Sequence, residues 1–341
     1  MEQAVAEQFS PEEVARRIEA QRNARASAEA EAVARRYEHI RPFGTAAASY
    51  VQQVQNDERF YLGINAVDVK TRGHARGELA FITGRAGSGK TQLILNAIHN
   101  NSDRHVIVFT PDETPEMVLA KLVALRYGIS AEVLEERVKA KDSEYLQIIQ
   151  HAADRDFSKL IVIDAGLTLE KMGSALDEAE DYWQARCDLA VYDYLEMLPG
   201  GTGFSDVAGK AQGMKMWTTT ANVPMLCMHQ GKRGEGNTRG TAQGMDSMRY
   251  GGEAEAIVVL EVFRKRDNKA LSPFEREHTH KNTVTVNVAK NKRPPMKTGE
   301  VDLYMNPETG HIRALTNVDL TRDGVPTSNA ADLLQARRPS Q

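Results

Sequence analysis

The sequence predicts an α/β fold: a mainly parallel, twisted sheet flanked by helices and preceded by a helical arm. Three observations carry this. From about Tyr61 onward, apolar runs of strand length alternate with stretches of helical spacing, the order that a parallel sheet covered on both faces requires. The run Leu79-Ala80-Phe81-Ile82-Thr83 feeds a glycine-rich turn, and residues 92–98 behind that turn have helical apolar spacing. Near the N-terminus, Ser10-Pro11-Glu12-Glu13 places Ser at the N-cap, Pro at the first helical position and Glu where it closes a capping box.

Taken in order, the arm runs to about Tyr37 in Ala, Glu and Arg, with few large apolar residues. It is strongly helical by propensity but has too little apolar face to fold alone, so it is either exposed or docked on another subunit. Arg41-Pro42-Phe43-Gly44 ends it. Buried strands are expected at 105–109, 159–163, 189–192, 224–228 and 257–262, with helices at 115–127 and 169–186 among the segments between them. Later strands are expected at 283–289 and 301–305, the second closed by the turn Asn306-Pro307-Glu308-Thr309-Gly310. Beyond Thr321 the chain is polar, with Gly, Pro and Ser, and reads as a loose tail. The expected division is an arm over 1–48, one α/β domain over 49–320 and a tail over 321–341.

The 341 residues suffice for one large core with appendages. A hydrophobic content of 41% and a charged content of 26% suit an ordinary soluble chain. The longest apolar runs fall short of the ~20 residues of a membrane span, and the N-terminus has no apolar core of a secretory signal. No membrane partner is expected, and the location is expected to be cytoplasmic. Cys187 and Cys227 lie far apart in apolar surroundings and read as reduced core thiols. A net charge of -4 excludes a surface coated in basic residues, so any nucleic acid must be held locally, as in a channel shared by several subunits. Residues 264–297 are locally basic, which a solvated strand-and-loop face also explains.

The turn itself carries the chemistry. Gly84-Arg85-Ala86-Gly87-Ser88-Gly89-Lys90-Thr91 is a complete P-loop, with a strand before it and a helix after it. Its glycines let consecutive backbone N–H groups cradle phosphates at a helix N-terminus. Lys90 then reaches the β- and γ-phosphates, and the Thr91 hydroxyl takes a position on Mg²⁺. This pattern in this context implies binding of a nucleoside triphosphate.

Hydrolysis also needs a carboxylate for the metal and one for the water. By apolar pattern alone, Asp164 after Leu160-Ile161-Val162-Ile163 and Asp193 after Leu189-Ala190-Val191-Tyr192 both qualify for the metal. The run Asp193-Tyr194-Leu195-Glu196-Met197-Leu198 closely resembles the Walker B strand end of the bacterial replicative helicases of the DnaB type, superfamily 4, which share a RecA-like core. The resemblance continues in order. Val108-Phe109-Thr110-Pro111-Asp112-Glu113-Thr114-Pro115 resembles the strand whose terminal Glu is that family's catalytic base, and Glu113 holds the place. Ile163-Asp164-Ala165-Gly166-Leu167-Thr168 resembles the segment opening the helix before Walker B, which demotes Asp164. Asn222 to Gln230 resembles the next strand, whose terminal Gln, here Gln230, senses the γ-phosphate. Ser247-Met248-Arg249-Tyr250-Gly251-Gly252 resembles the following DNA-loop segment. Lys290-Asn291-Lys292-Arg293 resembles the Lys-x-Arg element inserted into the neighbouring subunit's site. The likeness covers about 63–315.

It implies a RecA-like ATPase that forms a ring, most simply a homo-hexamer, with ATP and Mg²⁺ at each subunit interface, translocating on single-stranded DNA and opening duplex during replication. A RecA/RadA- or KaiC-like ATPase that does not unwind DNA is the alternative reading. Glu113 follows a strand expected beside the P-loop strand, within reach of a water in line with the γ-phosphate; it is also an ordinary acid for the first turn of a helix. Two glycine-rich polar loops are expected at strand ends, where open α/β sheets bind ligands. One spans 199–213 with Lys210; the other spans 231–248 with Lys232, Arg233 and Arg239. By the resemblance these, with Arg249, grip the DNA backbone.

The chain departs from the pattern in three places. Pro294-Pro295-Met296-Lys297-Thr298 delays Gly299, which leaves Lys292 and Arg293 both open as the inserted finger. The segment after Arg249 is shorter than usual. The family's globular N-terminal domain has no counterpart, and only the 10–37 helix stands where the linker helix would be. That compactness would suit a phage-encoded helicase, with the host cytoplasm as its location. A primase or a loader is the protein partner that the family implies, but the contacts of the missing domain do not carry over.

Overall fold

The computed structural model describes residues 43–201, 204–231, 240–244, 248, 252–316 and 319. The chain divides into two compact units, one up to Glu58 and one from Arg59. In the first, α1 (Phe43–Gln55) begins directly after Pro42, and the expected boundary at 48/49 falls inside it. The helix is rich in Ala and Gln, good helix formers, where the sequence pattern suggested only a break. The 10–37 arm and the tail beyond Thr321 lie outside the described residues.

In the second unit, α2 (Asn65–Thr71) precedes β1 (Leu79–Gly84) and α3 (Lys90–Asn100). β2 (Val106–Phe109) leads to α4 (Pro115–Tyr127), which starts with Pro115 after an extended Thr114 and stops at Gly128 in the left-handed region. Proline at the first position and glycine past the end are the signals that made this helix legible. α5 (Ala131–Lys139) and α6 (Ser143–His151) follow, then β3 (Leu160–Ile163), α7 (Leu169–Trp183), β4 (Leu189–Tyr192), α8 (Phe204–Ala221) and β5 (Met225–Gln230). β6 (Val258–Phe263), β7 (Thr283–Asn291), β8 (Gly299–Met305) and β9 (Ile312–Ala314) complete the unit.

The nine strands form one sheet in the order β3-β2-β4-β5-β1-β6-β7-β8-β9. The first six pair in parallel and the last three add on antiparallel. All six residues of β1 are buried, as befits a central strand covered on both faces. Its side chains alternate between two cores. Ala80 and Ile82 pack with Leu93, Ile94, Leu122 and Val123 of α3 and α4. Leu79 and Phe81 pack on the other face with Met172 and Leu176 of α7 and Met214 and Trp217 of α8. Cys187 and Cys227 are buried and unpaired. Among the described residues, no helix is long and apolar enough to cross a membrane.

One sequence expectation about the sheet is corrected. β2 does not lie beside β1; β4 and β5 stand between them. Pairing across a parallel sheet joins segments far apart in sequence, and apolar periodicity carries no information about that order. The parallel strands still share a direction, so the ends of β1, β2, β4 and β5 converge on one edge.

Candidate nucleotide site

A cavity of about 530 Å³ opens at that edge, lined by Gly84, Arg85, Ala86, Gly87, Lys90, Thr91, Asp112, Asp193, Tyr194, Gln230 and Gly231. Its size lies within the roughly 300–1,000 Å³ of small-molecule sites. Four strand ends build it. β1 supplies the P-loop, β2 the turn with Asp112, β4 Asp193 and Tyr194, and β5 Gln230 and Gly231, with Gly84 in register with Gln230.

The P-loop glycines are required by position. At Gly84 (φ 155°) a Cβ would sit 2.3 Å from the Val262 carbonyl oxygen and 2.6 Å from Ser88 Oγ. Gly89, the residue capping α3, has φ 105°, which L side chains rarely adopt. Lys90 Nζ lies over the loop and donates to the carbonyls of Gly84 (2.8 Å) and Arg85 (3.1 Å). Burial holds its ammonium below the usual lysine range, against the pull of Asp193 and Glu196.

Thr91 Oγ1 and Asp193 Oδ2 meet at 3.4 Å, which brings the two expected metal residues together from separate strand ends. Burial pushes the Asp193 carboxyl up to about 6, helped by the charges of Glu113 and Asp112 and opposed by Lys90 and the Thr91 hydroxyl. A divalent cation between these two oxygens would offset the cost of ionising the buried Asp193 carboxylate, so the donor set fits Mg²⁺. Asp164 ends β3, at the sheet's outer edge, and is exposed. Gln230 lies on the cavity wall and hydrogen-bonds Tyr194.

Glu113 is placed differently from expectation. It is absent from the cavity wall, its side chain is 16% exposed, and Lys121 Nζ of α4 holds Oε1 in an ion pair. Its neighbour Asp112 lines the cavity instead.

Two basic residues also move. Lys210 is not on a loop: it lies in α8, the residue is 7% exposed, and its ammonium donates to the Glu196 carbonyl at 3.1 Å. It is therefore withdrawn as a DNA contact, and the expected 199–213 loop shrinks to the residues before α8. Arg293 is 9% exposed and donates to Glu78 and to the carbonyls of Thr71 and Gly73. Its guanidinium is thus buried and committed inside its own chain, unlike the exposed Lys292. Lys290 and Lys292 both donate to the 253–254 carbonyls, and Lys292 is exposed. Burial, with the charge of Lys292 beside it, holds the Lys290 ammonium down to about 8. Lys232, Arg233, Arg239 and Arg249 lie outside the described residues.

Several site residues escaped the sequence reading. Gly231 donates its N–H to the Gly84 carbonyl at 2.9 Å and touches the P-loop backbone. Glu196 accepts from the Gln230 N–H at 3.1 Å and lies 3.3 Å from His229 Nδ1, which ties the segment after β4 to the end of β5. Glu261 on β6 accepts from the N–H groups of Gln243 (2.8 Å) and Gly244 (3.1 Å), anchoring the far part of the 231–248 loop. Only Gly231 had a signal, as a glycine directly behind a strand-end Gln.

The chain is 20% identical over 245 residues to the replicative DNA helicase DnaC of Bacillus subtilis (strain 168), covering 69% of this chain and 52% of that protein. It is 22% identical over 275 residues to the replicative DNA helicase DnaB of Mycoplasma genitalium, covering 76% and 58%. It thus spans about half the length of the curated relatives it matches. Among solved structures, one ATPase domain superposes with a TM-score of 0.68 at 18% identity, covering 81% of this chain and all of that one. A DnaB-like replicative helicase, solved in a study of its interactions with primase, gives 0.65 at 18% identity, covering 81% and 68%. Residues 61–313, well over half of the chain, match the DnaB-like helicase C-terminal domain, and the chain belongs to that family.

Proposed function

We propose that the chain is the motor of a ring-forming replicative helicase, which hydrolyses ATP to move along single-stranded DNA and open duplex in the cytoplasm. The observation that carries this is the convergence of Lys90, Thr91, Asp193 and Gln230 on one cavity at the sheet's edge. The P-loop amides and Lys90 bind the β- and γ-phosphates. Thr91 and Asp193 hold Mg²⁺, which neutralises phosphate charge when bound. A carboxylate of the turn after β2 accepts the proton of the attacking water. Gln230 hydrogen-bonds the γ-phosphate and, one residue from the 231–248 loop, passes the state of the site to the DNA-gripping residues Lys232, Arg233, Arg239 and Arg249. Those contacts are to the phosphate backbone, with little sequence preference. Lys290 and Lys292 complete the site of the next protomer in a homo-hexamer. A primase or a loader is the protein partner in this reading.

The test is strand displacement on forked duplexes with 5′ or 3′ tails. Displacement that requires ATP and Mg²⁺ is the expected result, on one tail polarity. ATP-dependent pairing of homologous strands without displacement would point instead to a strand-exchange ATPase and overturn the proposal.

A further inference from the structure

The turn after β2 carries two adjacent acids, and the fold separates their environments. The Glu113 N–H donates to the Thr110 carbonyl at 3.3 Å, closing the turn with Asp112 at its tip. Asp112 is exposed on the cavity wall, together with Lys90, Thr91, Asp193 and Gln230. No hydrogen bond or ion pair to a described residue engages its carboxylate. Its charge is felt on both sides of the cavity, at Asp193 and at Tyr194, whose ionisation it opposes. Glu113 is engaged instead, although its charge also acts on Asp193, and more strongly than that of Asp112. Its carboxylate is held by Lys121, two turns along α4, and it does not line the cavity. To take a proton from a water there it would have to release that ammonium.

We propose that Asp112, not Glu113, is the carboxylate that activates water in this chain, and that the Glu113–Lys121 ion pair braces the turn that presents it. The assignment rests on the ATPase reading above. In the step, an Asp112 oxygen takes a proton from water as the water oxygen bonds to the γ-phosphorus. The bond from that phosphorus to the β,γ-bridging oxygen breaks, and ADP leaves with the electron pair. The proton on Asp112 is returned to solvent after phosphate departs.

The full chain with MgATP and single-stranded DNA provides the test, through Asp112→Asn, Glu113→Gln and Lys121→Met. Turnover is measured alongside affinity for a fluorescent ATP analogue and the thermal midpoint. Loss of a general base costs about 10²–10⁴ in rate, so Asp112→Asn should lower kcat at least about 100-fold with analogue affinity within roughly threefold of wild type. Glu113→Gln and Lys121→Met should retain at least roughly a fifth of the wild-type kcat, since neither removes a group facing the water. A 100-fold loss in Glu113→Gln, an equal loss in both acid variants, or no large loss in either overturns the assignment and leaves the ATPase reading standing. A wild-type chain that binds the analogue but never turns ATP over overturns that reading, and this one with it.

Discussion

Asp193 sits where the demands of the site oppose those of folding. The residue is 6% exposed, close to two other acids, with its carboxyl raised from 3.8 to about 6. A carboxyl raised in this way binds its proton more tightly folded than unfolded. Its contribution to stability is therefore fullest below about pH 4 and is lost as pH rises through 6. Two pKa units correspond to about 3 kcal/mol at neutral pH as an order of magnitude. Asparagine keeps the shape and drops the charge. Without Mg²⁺ at pH 8, the Asp193→Asn protein should melt above wild type, and the advantage should shrink towards pH 5; hydrolysis should be lost throughout. Thermal melts in EDTA across that range check this. A variant less stable than wild type at pH 8 would mean that the attraction to Lys90 and the Thr91 contact outweighs burial and the neighbouring acids.

At the scale of elements, the site depends on how closely β5 approaches β1. A Cβ on Gly231 would lie 2.8 Å from the Gly84 carbonyl carbon and 3.1 Å from the Arg85 nitrogen. Both are backbone atoms, so the P-loop itself must move. Overpacking of this kind costs about 1–3 kcal/mol; if half of that falls on the phosphate cradle, Gly231→Ala should weaken nucleotide binding roughly two- to tenfold. Titration with a fluorescent ATP analogue reads this directly, and an unchanged Kd would mean that the loop has slack. What the sequence disclosed follows the same division between local and distant contacts. The β1–P-loop–α3 unit and α4 were legible because their signals are local: fixed glycines, a proline at the first turn and apolar periodicity. α8 was half hidden because Gly209 and Gly213 break its pattern, and tertiary packing between α7 and the sheet overrides their poor propensity. The place of β2 in the sheet was not legible, since it is set by contacts far apart in sequence. Nor was the choice between Asp112 and Glu113, because no periodicity separates adjacent residues of a turn.

For the whole molecule, the question is what a protomer lacks. Arg293 is committed to Glu78, Thr71 and Gly73 within its own chain, so in the proposed ring the element offered to a neighbour is Lys290 and Lys292 at the end of β7. Two ammonium groups this close repel each other, and burial with that repulsion already holds Lys290 down to about 8; an anionic phosphate between them removes the penalty. In a head-to-tail ring each site then takes Lys90 from one protomer and the lysine pair from the next. Lys90→Ala and the double variant Lys290→Ala/Lys292→Ala should each be inactive alone. Mixed one to one before assembly, about a quarter of interfaces pair an intact P-loop with intact lysines if protomers arrange at random. ATPase activity should therefore return to a fraction of that order, and only when mixing precedes addition of nucleotide and DNA. The specific activity of the wild-type chain should also fall on dilution, as rings dissociate. No recovery at any mixing ratio, together with a wild-type rate independent of concentration, would show a site complete within one protomer.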